Sequence, residues 1–248
     1  MAFVCIVPGQ LLSLFFQGIA TVADHAVISW GPEKVVCNAF TPTGDLLFSG
    51  SVQPTSSNLS GVEELELPIG EIVEQIEAEE SPLPEQVVCQ HAGTLFEVYP
   101  HIEAAEHPEE ILISSVEVIS KEKSHTLPAR IEYPVKFYID TDVLLVEFNK
   151  IKAGEYIIVS WENGTLHLAS RDWTSQVTIP DGQIVLDRVT PGEYSSMHSY
   201  GTLKGVVEAL GIFASVKIGM GEDLPLVLAG FSPELKLGYM ITQLMEDN

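Results

Sequence analysis

His91, His101 and His107 fall ten and six residues apart, with Glu103 and Glu106 inside the second interval. Imidazole and carboxylate are ligand types for a divalent metal, but the spacing matches neither a helical His pair nor a paired-cysteine framework. These positions read as solvated loops and strand ends. Asp140 and Asp142 flank Thr141 just before an apolar-periodic stretch, where Asp140 or Thr141 serves as a helix N-cap rather than half of an acid–base pair. No Gly-x-Ser-x-Gly elbow, phosphate-cradling loop or Gly-x-Gly-x-x-Gly fingerprint occurs. Cys5, Cys37 and Cys89 are odd in number, lack a Cys-x-x-Cys spacing and sit inside FVCIV, VVCNA and VVCQH. They read as buried, reduced thiols. The residues that could do chemistry do not converge, so the chain is read as non-enzymatic, with no cofactor and no metal.

What surrounds those residues is a large apolar core under a strongly negative surface. Of 248 residues 46% are hydrophobic, and 35 acids against 12 bases leave a formal charge of −23. Such a surface repels phosphate and anionic lipid unless its few bases are clustered. The opening MAFVCIVPGQLLSLFFQGIA has no basic residue and breaks at Pro8-Gly9, so it reads as a strand and a helix rather than a secretion signal. No 18-residue apolar run interrupts the chain, and no membrane partner is expected.

Repetition organises the elements. AVISW ends at Trp30 and IIVSW at Trp161, 131 residues apart, and the same offset joins IGEIVEQIEA at Ile69 to YGTLKGVVEA at Tyr200. Helices are expected at 9–22, 69–80, 141–152 and 200–213, among short strands punctuated at Thr43-Gly44-Asp45, Gly93, Asn163-Gly164 and Gly221-Glu222-Asp223. The fold class is α+β, a duplicated domain whose halves each pack two helices on antiparallel sheets. The boundaries are 1–118, a polar connector at 119–134 carrying Lys121, Lys123 and Arg130, and 135–248. Within the second helix Ile69, Ile72, Val73 and Ile76 form an apolar stripe, while Glu71, Glu74, Glu77, Glu79 and Glu80 leave the other face wholly acidic.

The halving, the order of parts and three stretches, VADHAVISWGPEKVVCNAF, VLLVEFNKIKAGEYIIVSWENGTLHLAS and YSSMHSYGTLKGVVEALGIFASVKIGMGEDLPLVL, resemble the DNA sliding clamps of the proliferating cell nuclear antigen family. The resemblance spans the whole chain. It implies a ring of six similar domains from three subunits, sheets outside and helices around duplex DNA, serving as a polymerase processivity factor and a platform for replication and repair proteins. Its partners would be other clamp subunits, double-stranded DNA, and a polymerase, nuclease, ligase or clamp loader. The location would be cytoplasmic with the nucleoid, or nuclear in a eukaryote.

Carried over to this sequence, the resemblance places a partner-peptide pocket at Phe40, Gly44, Leu47, Leu127, Pro128, Ile131, Pro225, Tyr239, Ile241 and Leu244. It places subunit edges at 111–118, with Ile111, Ile113 and Val116, and at 175–180, with Val177 and Ile179; because Ile111, Ile113, Val116 and Val118 cannot all alternate to one face, a bulge is expected near Ser114-Ser115. DNA-facing cations would be Lys150, Lys152 and Lys204. Two departures matter. The tail reads YMITQLMEDN, with Ile241-Thr242 where the family carries Ala-Pro, so weaker peptide binding is expected. The helices offer three lysines against at least five acids, a poor lining for DNA in three identical copies. A mixed ring with differently charged relatives is therefore favoured over a homotrimer; the alternative is a clamp-fold paralogue that assembles or binds proteins without encircling DNA.

Overall fold

Phe3, Cys5 and Val7 point inward while Val4, Ile6 and Pro8 are half-buried, so the opening apolar run forms a strand, β1 (Phe3–Pro8). Pro8, with φ −58°, turns the chain into α1 (Gly9–Ala20). Only glycine fits at position 9, because a Cβ there would lie 2.2 Å from the carbonyl oxygen of Pro84. The structure is a computed structural model and describes residues 3–79, 82–101, 112–119, 131–152 and 154–244.

After α1 the chain runs through β2 (His25–Trp30), β3 (Val35–Phe40), β4 (Leu46–Val52), β5 (Ser56–Ser57), β6 (Glu63–Pro68), α2 (Ile69–Ala78), β7 (Gln86–Ala92), β8 (Leu95–Pro100) and β9 (Ser114–Glu117). The series then repeats as β10 (Val135–Asp140), α3 (Thr141–Phe148), β11 (Tyr156–Glu162), β12 (Thr165–Ser170), β13 (Gln176–Ile179), β14 (Ile184–Val189), β15 (Tyr194–Ser199), α4 (Tyr200–Ala209), β16 (Ser215–Met220), β17 (Leu226–Phe231) and β18 (Leu235–Ile241). By contacts the chain divides into two units: Met1–Pro42, Phe48–Leu127 and Pro233–Leu237 in the first, Thr43–Leu47, Pro128–Ser232 and Gly238–Asn248 in the second.

In the first unit the strand orders are β5-β1-β7-β8-β9 and β6-β2-β3-β4; in the second they are β14-β10-β16-β17-β18 and β15-β11-β12-β13. Position by position the two sets correspond. His25 and Tyr156, Glu63 and Tyr194, Ile69 and Tyr200, and Leu95 and Leu226 open matching elements, each pair 131 residues apart. The fold is thus an α+β duplication with two helices per unit. Each core is nailed by the repeated tryptophan: Trp30 lies 5.4 Å from Phe3 and 5.1 Å from Phe96, and Trp161 stacks on Phe137 at 4.8 Å. Asn163 and Gly164 both take positive φ, 49° and 88°, closing the two-residue β11–β12 hairpin as their types demand.

The structure departs from the periodicity in several places, beginning with α1, which ends at Ala20 rather than 22, and α2, which ends at Ala78 rather than 80. α3 ends at Phe148 rather than 152, because Phe148 stacks on Tyr200 at 5.4 Å and Ile151 turns into the core. α4 ends at Ala209, and a 3₁₀ turn (Leu210–Ile212) drops Leu210 and Phe213 inward. The last strand of the first half is shorter than 111–118. Strands β5, β6, β14 and β15 lack an apolar alternation: β6 reads EELELP and β15 reads YSSMHS, and both are held by ladder bonds to β2 and β11.

Candidate assembly, lining and peptide surfaces

The resemblance implies helix faces turned toward DNA. α2 buries Ile69, Ile72 and Ile76 and exposes Glu71, Glu74 and Glu77; Glu79 lies past the helix end with extended backbone. Glu80 falls outside the described residues. Between α1 and α2 lies a groove of about 530 Å³ lined by Gln10, Ser13, Gln17, Glu77 and Glu79 together with apolar side chains. Gln17 Nε2 donates to Glu77 Oε1 at 3.2 Å. No base lines it. In the second unit Lys150 is held by Glu147 at 2.6 Å and Lys204 lies 3.7 Å from Glu208. Two of the three lysines expected to face phosphate are therefore partnered by acids of their own helices or helix ends, and Lys152 is exposed without an ion pair among the described residues. Asp140 caps α3, accepting from the N–H groups of Asp142 at 3.0 Å and Val143 at 3.3 Å, as its position predicts.

Among the described residues six strands end their sheets, β5, β9, β14, β6, β13 and β15; those in the segments expected at subunit edges are β9 in the first unit and β13 in the second. β9 takes the place in its sheet that β18 takes in the other. Ile113 N donates to Val98 O at 2.9 Å while Ser114 is the register partner of Val98, a two-for-one opposition that places the bulge at Ile113-Ser114. Because Val118 N donates to Thr94 O, alternation turns the N–H groups of Ser115 and Glu117 away from β8. The outward N–H of Ser115 is already occupied: Gln75 Oε1 on α2 accepts it at 3.0 Å and the Ser114 hydroxyl at 2.8 Å. This is a side-chain guard on a sheet edge. On β13 the bond from Ser170 N to Ser175 O fixes the phase, so that Gln176 and Thr178 turn their N–H groups away from β12. Ile113, Val116 and Ile179 are buried within their own units and Val177 is half-buried, so these residues set register more than they offer apolar surface. Ile111 lies outside the described residues. A proline at Ile113 would break the ladder to Val98 inside the unit, which makes Thr178 the cleaner position for probing an edge.

The loop before β13 was not legible in the sequence. Trp173 is 55% exposed and takes a left-handed φ of 59°, a conformation that costs a residue with a Cβ about 1–2 kcal/mol. A polar knot holds it there. Asp172 Oδ1 accepts from Ser170 Oγ at 2.7 Å and from Thr174 Oγ1 at 2.8 Å, and Ser170 Oγ accepts from Ser175 N at 3.0 Å. The same bonds, Ser170 first and Thr174 next, hold the Asp172 carboxyl below its ordinary range. Beside it, Arg171 lies over the Tyr156 ring at 5.7 Å.

Of the expected peptide pocket, the second unit brings together the Thr43–Leu47 loop, the tail and β15. Thr242 donates to Asp45 O through its N–H at 2.9 Å and its hydroxyl at 3.1 Å, and Leu244 N donates to Met197 O at 2.8 Å. Gly44 holds the loop tip with φ 73°. Leu47, Tyr239 and Ile241 are buried, whereas Ile131, Pro225 and Leu244 are half-buried and reachable. Phe40, in the first unit, is half-buried. Leu127 and Pro128 lie outside the described residues, as do Lys121, Lys123 and Arg130. His198, missed in the sequence, anchors the tail from β15: its Nδ1 donates to Thr242 O at 3.1 Å and its Nε2 accepts from Ser196 Oγ at 2.8 Å. Burial pushes this imidazole down to about 4, the Thr242 bond opposing.

His91, expected on a solvated strand end, is instead buried within β7 with Nδ1 on Glu63 at 3.0 Å, whereas His107, Glu103 and Glu106 lie outside the described residues. Among the described residues no three His, Cys, Asp or Glu side chains gather to hold a metal. All three cysteines are free and buried, and desolvation pushes Cys5 up to about 11, Cys37 up to about 12 and Cys89 well above the ordinary thiol range. No described helix is long and apolar enough to cross a membrane.

No protein-family model matches the sequence. A search of curated proteins finds no match. Solved structures do match over almost the whole chain. Proliferating cell nuclear antigen (PCNA) of A. fulgidus, solved with the C-terminal region of FEN-1, superposes with a TM-score of 0.79 at 16% identity, covering 99% of this chain and 100% of that one. PCNA from Thermococcus kodakaraensis gives 0.81 at 13% identity, covering 98% and 100%. A chain of the PCNA2–PCNA3 complex from Sulfolobus tokodaii gives 0.77 at 13%, covering 98% and 99%. The chain has the sliding-clamp fold.

Proposed function

We propose that this chain is a non-enzymatic sliding-clamp subunit, a processivity factor and docking platform for replication and repair proteins on duplex DNA. The observation that carries the reading is end-to-end agreement with clamp chains, at TM-scores of 0.77–0.81, of a duplicated fold whose units each leave an edge strand, β9 and β13, with outward N–H groups. Paired between chains, such edges extend a sheet from subunit to subunit and close a ring. The A. fulgidus structure holds a nuclease segment, which supports a peptide-binding role for the region joined by Gly44, Asp45, Thr242 and Leu244.

The ring we favour is mixed. α2 presents Glu71, Glu74 and Glu77, while Lys150 and Lys204 are held by neighbouring acids. Two like charges 4–6 Å apart through water repel by roughly 1 kcal/mol before screening. Three copies would repeat that at every sector, whereas less acidic relatives would supply the missing cations. The Sulfolobus neighbour is itself one chain of a complex between two different clamps. Sedimentation tests this: the chain alone should be chiefly monomeric at physiological salt and enter a three-chain assembly with clamp paralogues of its source. A stable homotrimer under those conditions would remove the case for a mixed ring.

A further inference from the structure

Trp30 and Trp161 are buried in the two cores, but Trp173 stands 55% exposed in front of the β13 edge. An indole held out on a fixed loop, in a backbone conformation that a tryptophan disfavours, is the kind of side chain that carries binding energy when a partner covers it. Resting on the ring-subunit reading above, we propose that Trp173 is the apolar anchor by which the β13 edge holds the β9-type edge of the next ring subunit.

Hydrogen-bond phase shows how a β9 edge would meet β13. Ser115 and Glu117 are the outward residues of β9, and Gln176 and Thr178 those of β13. Of the antiparallel registers this phase allows, the one that sets Ser115 against Thr178 and Glu117 against Gln176 carries the end of β9 toward Trp173, and in it the Ser115 N–H exchanges Gln75 for the partner strand. In this register the chain beyond Glu117 runs toward the loop of Trp173, while the Ile119 N–H stays bonded to Glu66 O of its own unit and leaves only the exposed Ile119 side chain for contact. β9 carries what such an anchor needs. It is flanked by Leu112, 45% exposed, and Ile119, 48% exposed. Charge agrees locally, since exposed Glu117 approaches the loop that presents exposed Arg171. An aromatic residue capping the end of a paired edge fixes register as well as affinity, because a two-residue slip would strand the indole in water.

The chain itself is the probe, because it owns a β9 edge of this type. Its charge of −23 holds copies apart at low salt, and salt screens that repulsion without weakening an apolar contact. Sedimentation of the purified chain is followed from 0.05 to about 1 M NaCl, with tryptophan emission and acrylamide quenching read on the same samples. We expect association that strengthens with salt, with a blue shift and loss of quenching from the one exposed tryptophan. Trp173→Ala should weaken association about thirtyfold and abolish the spectral change while leaving the thermal unfolding profile of each unit in place. Absence of association at about 1 M NaCl, or association unmoved by Trp173→Ala, overturns the proposal. Thr178→Pro separates the two readings: if it disperses the assembly while Trp173→Ala does not, the ring edge stands and the anchor falls. If neither variant matters, the edge assignment itself falls.

Discussion

His198 Nδ1 donates to the carbonyl oxygen of Thr242 at 3.1 Å, fastening the chain after β18 to β15 through an imidazole that stays neutral. Nδ1 must carry the proton, since a carbonyl only accepts, and Nε2 is then free to accept the Ser196 hydroxyl. The corresponding residue of the first half, 131 positions earlier, is Leu67, equally buried. The second unit has a polar latch where the first has plain core.

That latch has a pH signature. The folded value near 4 lies below the ordinary 6.5, so the unfolded chain takes up a proton that the folded chain refuses. Stability contributed by the neutral imidazole is complete above pH 6.5 and is lost as pH falls toward 4, by about 3 kcal/mol in all. His198→Leu should flatten that part of the urea-unfolding profile between pH 4 and 6.5. An unchanged slope would show that His198 is not the titrating group.

Gln75 gives a second prediction. Its side-chain oxygen occupies the outward N–H of Ser115, so Gln75→Ala frees a ladder donor on β9. Association through that edge should strengthen several-fold, while loss of the two bonds lowers the stability of the first unit by about 1 kcal/mol. Association equal to that of the parent chain would mean that the guard is not displaced on assembly.

The peptide surface is tested with the C-terminal segment of a FEN-1-type nuclease. Phe40→Ala and Leu127→Ala should each weaken binding about tenfold, with circular dichroism unchanged. The parent affinity should fall below that of the A. fulgidus clamp, because Ile241-Thr242 replaces Ala-Pro and Thr242 is already bonded to Asp45. Tight binding indifferent to both variants would move the site elsewhere.

Charge reversal on α2 addresses the lining. Glu71→Lys with Glu74→Lys should raise affinity for duplex DNA and steepen its salt dependence by about one to two counterions per subunit. A salt slope identical to the parent's would show that α2 does not approach phosphate.

These predictions draw unequally on the sequence. The duplication was legible because Trp30 and Trp161 end β-branched runs and Ile69 and Tyr200 open amphipathic helices at one offset. Such strong periodicities survive divergence because each faces a core. Asp140 as a cap and Asn163-Gly164 as a hairpin were legible because their chemistry is local. β6, β14 and β15 were not, since they are defined by neighbours rather than alternation. The features with functional weight were the least readable. Gln75 meets Ser115 across 40 residues, His198 meets Thr242 across 44, and the left-handed backbone of Trp173 depends on a knot of Ser170, Asp172 and Thr174. Long-range side-chain bonds leave no spacing in the sequence to find.

Topological retention on DNA tests the central claim most directly. The chain, assembled with clamp paralogues of its source, is loaded onto nicked circular duplex DNA by the cognate loader at physiological salt, and the protein retained is measured before and after one restriction cut. A ring subunit should remain on the circle through a high-salt wash, which removes contacts made only to phosphate, and should slide off once the circle is opened. Retention that is equal on circular and linear DNA, or binding that salt alone removes from the closed circle, would contradict encirclement.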